Sequence, residues 1–230
     1  VEQTPYNHQA IVATVSTELL HRETARQRFL DTGPLAFLPL QDGRSSIVWS
    51  CSPQRFDELN GLDDAAFSAA LTDAFENRLG TITLSSSRTS FPLIKQHANQ
   101  YIAPRIALVG DAAHTIHPLA GLGANLGFAD AAALAEVIDN ARHAGKDIGI
   151  RPLLRRYERW RRGENTVTAK TMDVFYHTFG TSRSGVQSLR GAGLKLVDKT
   201  PLAKDFFMQY ATGLRGDLPK MAQKGSIYNK

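Results

Sequence analysis

The sequence predicts an α+β protein, with a mixed or antiparallel sheet built from the first half and a helical C-terminal region from the second. Segments rich in β-branched and aromatic residues, parted by Gly-Pro and Asp-Gly turns, fill the stretch before residue 100. Long alanine- and arginine-rich segments with helical periodicity follow. One short, wholly apolar segment, IALV at residues 106–109, stands between the two runs. A run of strands followed by a run of helices is the pattern of α+β rather than of βαβ alternation.

Taken in order, residues 10–18 (AIVATVSTE) alternate loosely and carry β-branched side chains, so they read as a strand. Residues 26–30, 35–40 and 46–51 are further strands, separated by Gly33-Pro34 and Asp42-Gly43. A helix starts at Asp63 or Asp64, where either carboxylate can cap it, and runs to Glu76. Phe67, Leu71 and Phe75 recur along it every four residues. Residues 81–87 read as a strand, and Phe91-Pro92-Leu93 interrupts the next. Residues 106–109 have the composition of a strand buried on both faces, which calls for parallel neighbours. Helices are expected over 125–142 and 152–171. The six arginines between Arg151 and Arg162 are read as a solvated face in preference to a binding patch. Residues 184–197 and 202–214 are weaker helices, and the polar end frays. The chain therefore divides into a β-rich part (1–104), a glycine-loop-and-helix part (105–145) and C-terminal helices with a tail (146–230).

At 230 residues, 42% hydrophobic and 21% charged, the chain has the composition of an ordinary globular protein with length enough for a core. No run of about 18 apolar residues marks a membrane span. The first residues lack the basic and apolar parts of a signal peptide, which makes the cytoplasm the expected compartment. The single cysteine, Cys51, excludes an internal disulfide and reads as a small buried hydrophobe in a strand. The net charge of +5 belongs to the tail, because residues 190–230 hold eight Lys and Arg against three Asp.

The segment VGDAAHTIHPLAGLGANLGFADA, which starts at Val109, concentrates chemistry. His114 and His117 stand three apart, but their neighbours supply no further ligands, so no metal site is expected. The glycines at 121, 123 and 127 make G-x-G-x-x-x-G, which begins 12 residues past Val109. The dinucleotide fingerprint is G-x-G-x-x-G directly after its strand, so this is not that motif. A plain turn needs one or two glycines, whereas four occur here, at 110, 121, 123 and 127. That density suggests backbone brought close to a flat or phosphorylated ligand. The following helix would aim its free N–H groups at a partial negative charge, with Asp111 placed to accept hydrogen bonds from hydroxyls.

These residues carry a resemblance. Gly110-Asp111-Ala112-Ala113-His114, then Pro118, then Gly121-x-Gly123-x-Asn125-x-Gly127, resembles the second flavin motif of the para-hydroxybenzoate-hydroxylase-like FAD monooxygenases. It is most similar to the ring hydroxylases of ubiquinone biosynthesis, with their pattern GDAAHxIHPLAGQGxNLGxxDA. Ala36-Phe37-Leu38-Pro39-Leu40, Phe91-Pro92-Leu93 and Tyr157-Glu158-Arg159 match that group as well. The likeness spans most of the chain and weakens after Thr181.

The resemblance implies FAD as cofactor, NAD(P)H as reductant and O2 as co-substrate in the hydroxylation of a polyprenyl phenol. It implies that Gly110 and Asp111 lie at the ribitol, Asp111 holding a hydroxyl, and that the Ala112 and Ala113 backbone lies near the pyrophosphate. Pro118 would flank the flavin ring, and Gly121, Gly123, Ala124 and Asn125 would bring N–H groups to its pyrimidine edge. The first-half sheet would cover the ring and shape the substrate pocket, with Phe37, Leu38, Trp49 and Phe91 as lining candidates and ordinary core as the alternative for each. No general base stands out, His114 being a weak candidate. Leu122 replaces the group's glutamine, and Leu122→Gln is expected to be tolerated. The group's N-terminal βαβ fingerprint and its second acidic-glycine motif are not in the chain. It is thus expected to be the C-terminal portion of a longer enzyme, a partial FAD-binding fold that would be inactive alone. The partners expected are a small hydrophobic phenol and no nucleic acid. Peripheral contact of the basic tail with the inner membrane, homo-oligomers and assembly with other pathway enzymes stay open. One alternative is a same-fold hydroxylase of a soluble aromatic. Another is a non-catalytic module whose basic tail grips nucleic acid or a protein, although the tail lacks the basic-aromatic interleaving of known modules. Leu202, Phe206, Phe207, Tyr210 and Leu214 fall at near-helical spacing, read either as a packed helix or as a basic amphipathic element resting on an anionic membrane.

Overall fold

The alternation of the first-half strands is resolved into two sheet faces in a computed structural model that describes residues 1–116, 121–179 and 217–223. Pro118 and the helices expected over 184–197 and 202–214 lie outside the described residues. The described chain forms two units. One is Pro5–Leu93; the other joins Val1–Thr4 and Ile94–Thr178 to residues 217–223.

In the first unit, β2 (Arg26–Leu30), β3 (Gly33–Pro39), β4 (Ser45–Cys51), β1 (Glu2–Thr17) and β6 (Thr89–His97) lie side by side in that order, and β5 (Ile82–Leu84) pairs with the end of β1. Register sorts the side chains. Leu35, Trp49 and Ile11 stand opposite one another, as do Phe37, Ile47 and Ala13, and all six are buried. This face is covered by α1 (Pro53–Asn60) and α2 (Asp64–Ala74), with Phe37 packed on Phe75 at 4.3 Å between ring centroids and Trp49 on Phe67 at 6.1 Å. The other face presents Ala36, Val48 and Val12 in register, each partly exposed. The expected cap is made by Asp63, whose Oδ1 accepts from the Ala66 N–H at 2.7 Å. Cys51 is buried as expected, and burial pushes its thiol up to about 12. Helix α1 gave little periodic signal because only Phe56 and Leu59 of its eight residues are buried.

The short edge strand β5 is matched to α2. The Ile82 N–H donates to Thr72 Oγ1 at 3.1 Å and the Leu84 N–H to Ser68 Oγ at 3.2 Å. Four residues of helix advance about 6 Å and two of strand about 6.6 Å, so hydroxyls at i and i+4 meet amides at j and j+2. Each hydroxyl donates its own proton to the carbonyl four residues back.

In the second unit, β9 (His114–Thr115) pairs with the end of β6, and α3 (Leu122–His143) packs with α4 (Arg151–Phe179). The strand expected over 106–109 is corrected. Only Ile106–Ala107 (β8) is paired as strand, in an antiparallel hairpin with β7 (Ile102–Ala103), and Ile106 is 56% exposed. Apolar composition signals that a segment needs cover, and among the described residues no strand pairs with its other edge. Helix α3 starts at Leu122 rather than 125 because Gly121, at φ +62°, turns the chain directly into it. The solvated arginine face holds for Arg151, Arg155, Arg156, Arg159 and Arg162, whereas Arg161 is buried. Among the described residues no helix is long and apolar enough to cross a membrane.

Candidate cofactor site

From β8 the chain enters a 3-10 turn, Gly110–Ala112, that begins at φ +57°. Asp111 and Ala112 are exposed on it, and Ala113 is fully buried behind them. Past residues 117–120, Gly121 opens α3 with no side-chain cap and no acidic residue in the first turn. The first N–H groups of a helix have no intrahelical acceptor, and among the described residues those of Leu122, Gly123 and Ala124 have none outside the helix. A Cβ on Gly121 or Gly123 would meet nothing within 4 Å. An exposed carboxylate on one turn and an uncapped, glycine-lined helix start suit a ligand with hydroxyls and a flat, electron-rich edge.

The other two glycines have a different task. A Cβ on Gly127 would lie 3.3 Å from Gly110 Cα, so this pair lets the 3-10 turn rest directly on α3. Ligand approach therefore does not account for all four glycines. Leu122 is 3% exposed and packs with Ile116, Ala169 and Met172, so its side chain faces the interior rather than the open side of the loop.

Behind the turn lies a fully buried polar cluster. Asp130 Oδ2 accepts from the Gly110 N–H at 3.0 Å and pairs with His114 Nε2 at 2.6 Å. Asp130 Oδ1 accepts from Arg161 Nε at 2.8 Å and Asn165 Nδ2 at 3.1 Å. Burial pushes the Asp130 carboxyl up, but the hydrogen bonds from His114, Arg161 and Asn165 outweigh it and hold the group below its ordinary value. His114 is 2% exposed and sits behind the turn rather than on its open side. Tyr157 Oη donates to Leu108 O at 2.6 Å and Glu158 accepts from the Tyr101 N–H at 2.8 Å, so α4 also holds the approach to the turn.

Sequence reasoning gave Asp130, Arg161 and Asn165 no role, yet the signal existed. Asp130 shares the buried stripe of α3 with Ala133, Val137 and Ala141. Arg161 and Asn165 share that of α4 with Leu154, Tyr157 and Met172. Charges on an apolar stripe call for each other. Of the residues expected at the cofactor, Asp111, Ala112, Gly121, Ala124 and Asn125 are exposed, Gly110 and Gly123 are half-buried, and Pro118 lies outside the described residues. The four pocket candidates do not come together. Phe37 and Trp49 are in the core under α2, while Leu38 (43%) and Phe91 (44%) are exposed.

A profile of the FAD binding domain family matches residues 5–168. The chain belongs to this FAD-binding family. It is 39% identical over 209 residues to 3-demethoxyubiquinol 3-hydroxylase of Escherichia coli (strain K12), covering 91% of this chain and 53% of that protein. It is 38% identical over 208 residues to ubiquinone hydroxylase UbiL of Rhodospirillum rubrum, covering 90% and 48%. The chain thus spans about half the length of the curated relatives it matches. Among solved structures, p-nitrophenol 4-monooxygenase PnpA from Pseudomonas putida DLL-E4 superposes with a TM-score of 0.70 at 18% identity, over 91% of this chain and 53% of that one, a likeness of fold. FAD is the cofactor of the family, and the uncapped helix start and the exposed Asp111 turn fit it.

Proposed function

We propose that the protein is an FAD-dependent monooxygenase that hydroxylates a polyprenyl phenol in ubiquinone biosynthesis, and that this chain holds the flavin-ring end of its cofactor. The observation that carries the reading is the uncapped start of α3 beside the exposed Asp111 turn, in a chain 39% identical to 3-demethoxyubiquinol 3-hydroxylase. FAD supplies the redox chemistry that activates O2, with NAD(P)H as reductant.

The chain's own residues bind and orient. Asp111 would accept a hydrogen bond from a ribitol hydroxyl, and the Ala112 and Ala113 backbone would lie near the pyrophosphate. The N–H groups of the first turn of α3 would hold the pyrimidine edge of the flavin, where the positive end of the helix dipole would favour negative charge. Exposed Leu38 and Phe91 suit an apolar substrate.

A carboxylate–hydroxyl hydrogen bond contributes about 1.5–3 kcal/mol, or about one to two decades in affinity. Asp111→Ala is expected to weaken FAD binding by that order while leaving the fold unchanged by circular dichroism. Unchanged flavin content after gel filtration sinks the role. Product analysis with a prenylated and an unprenylated phenol separates the ubiquinone substrate from a soluble aromatic.

The tail charge favours a second element of the reading, peripheral contact with an anionic membrane. Each Lys or Arg close to such a surface contributes about 1 kcal/mol, enough in sum for reversible binding. Co-sedimentation is expected with anionic vesicles only, and is lost in high salt and on truncation after Thr200. Failure to sediment at low salt removes the membrane element.

A further inference from the structure

The cofactor reading places ligand contacts on the exposed turn but does not say what holds that turn in place. The residues at its two ends are tied to one atom. Gly110 N–H and His114 Nε2 both meet Asp130 Oδ2, at 3.0 and 2.6 Å. Between these anchors lie only Asp111, Ala112 and Ala113, of which the first two are exposed. The second oxygen of the same carboxylate is tied to Arg161 and Asn165 on α4, so the turn is fastened through one side chain to two helices. Asp130 is 0% exposed, so it touches no ligand and can act only through the turn. Arg161 is its buried counter-charge, and Asn165 Oδ1 accepts from Arg161 Nη2 at 3.1 Å, which fixes the guanidinium in turn.

We propose that Asp130 is the positioning residue of the flavin site, a buried carboxylate that sets the Asp111 turn from behind at both ends. The inference rests on the cofactor reading given above. Four donors converge on Asp130, and an asparagine offers one acceptor oxygen and a nitrogen that is itself a donor. Asp130→Asn therefore leaves either the turn or α4 facing a donor instead of an acceptor. It also leaves Arg161 buried without its charge partner, which costs stability regardless of any ligand. The double variant Asp130→Asn/Arg161→Gln removes the stranded charge and separates the two effects.

The test uses the complete protein carrying this chain, with FAD affinity read by flavin fluorescence and the melting temperature read alongside. The parent is expected to bind FAD, and Asp111→Ala to weaken it. Asp130→Asn is expected to lower both melting temperature and affinity, the latter by about tenfold or more. The double variant recovers melting temperature towards the parent while affinity stays low, because the Gly110 N–H and His114 no longer share a carboxylate oxygen. Combining Asp130→Asn/Arg161→Gln with Asp111→Ala is expected to weaken binding by less than the product of the separate losses, since the anchor acts through Asp111. Affinity that returns together with melting temperature, or losses that simply multiply, overturn the positioning role. A parent that binds no FAD, or an Asp111→Ala variant that binds as the parent does, overturns the cofactor reading itself. Parent-like affinity in the Asp130 variants, with Asp111→Ala impaired, overturns this inference alone.

Discussion

Asp130 sits where two helices and a turn meet, with its ionised form held by three side chains. Its carboxyl is held below the ordinary 3.8, so between that value and the depressed one the unfolded chain binds a proton that the folded chain does not. The stabilisation is complete above about pH 4 and is lost as pH falls through the folded value. Urea unfolding is expected to show stability falling as pH drops below the ordinary carboxyl value of 3.8, with a shallower slope in Asp130→Asn/Arg161→Gln; equal slopes remove Asp130 from the acid response. Single residues were legible to uneven depth. Asp111 stood out because an acid beside glycines is chemically conspicuous. Asp130 and Arg161 did not, because their partnership is formed across 31 residues and shows only as two charges misplaced on apolar stripes. Phe37 and Leu38 read alike as pocket candidates, although adjacent strand residues must face opposite ways.

Helix α3 contains two glycines with opposite demands. Gly123 faces open space, so Gly123→Ala adds about 1 kcal/mol of helix propensity with no clash. Its cost is expected in FAD affinity alone, because the added methyl keeps the backbone from the ring. Gly127→Ala meets the backbone of Gly110, which Asp130 prevents from giving way, and a net loss of about 1 kcal/mol is expected. Thermal melts and flavin titrations of the two variants check the crossed pattern; Gly123→Ala that binds FAD as the parent does removes the close approach. Elements with strong periodicity were readable from sequence, as with α2, where Phe67, Leu71 and Phe75 define one face. Segment 106–109 misled because its apolar run describes a demand for neighbours, and pairing is decided by what the chain brings alongside.

At the scale of the molecule, each unit has its own core, one between sheet and helices around Trp49 and Phe67, the other between α3 and α4 around Tyr101 and Tyr157. The α+β class was legible because it follows from the order of strand-like and helix-like segments. The split near Leu93 was not, because β6 runs through it without any change in composition. Strand β5 has a bearing on how whole molecules meet. A strand end with free amides is a template on which a second chain can add itself. Ser68 and Thr72 occupy the outward amides of β5, so they act as a barrier to self-association as well as a brace for the sheet. Replacing both hydroxyls, in Ser68→Ala/Thr72→Ala, is expected to produce concentration-dependent oligomers in light scattering at temperatures where the parent stays monodisperse. A double variant that is less stable yet equally monodisperse would confine the hydroxyls to bracing. Oligomers in the variant would make the polar groups on one helix face determinants of how the protein behaves when crowded with copies of itself.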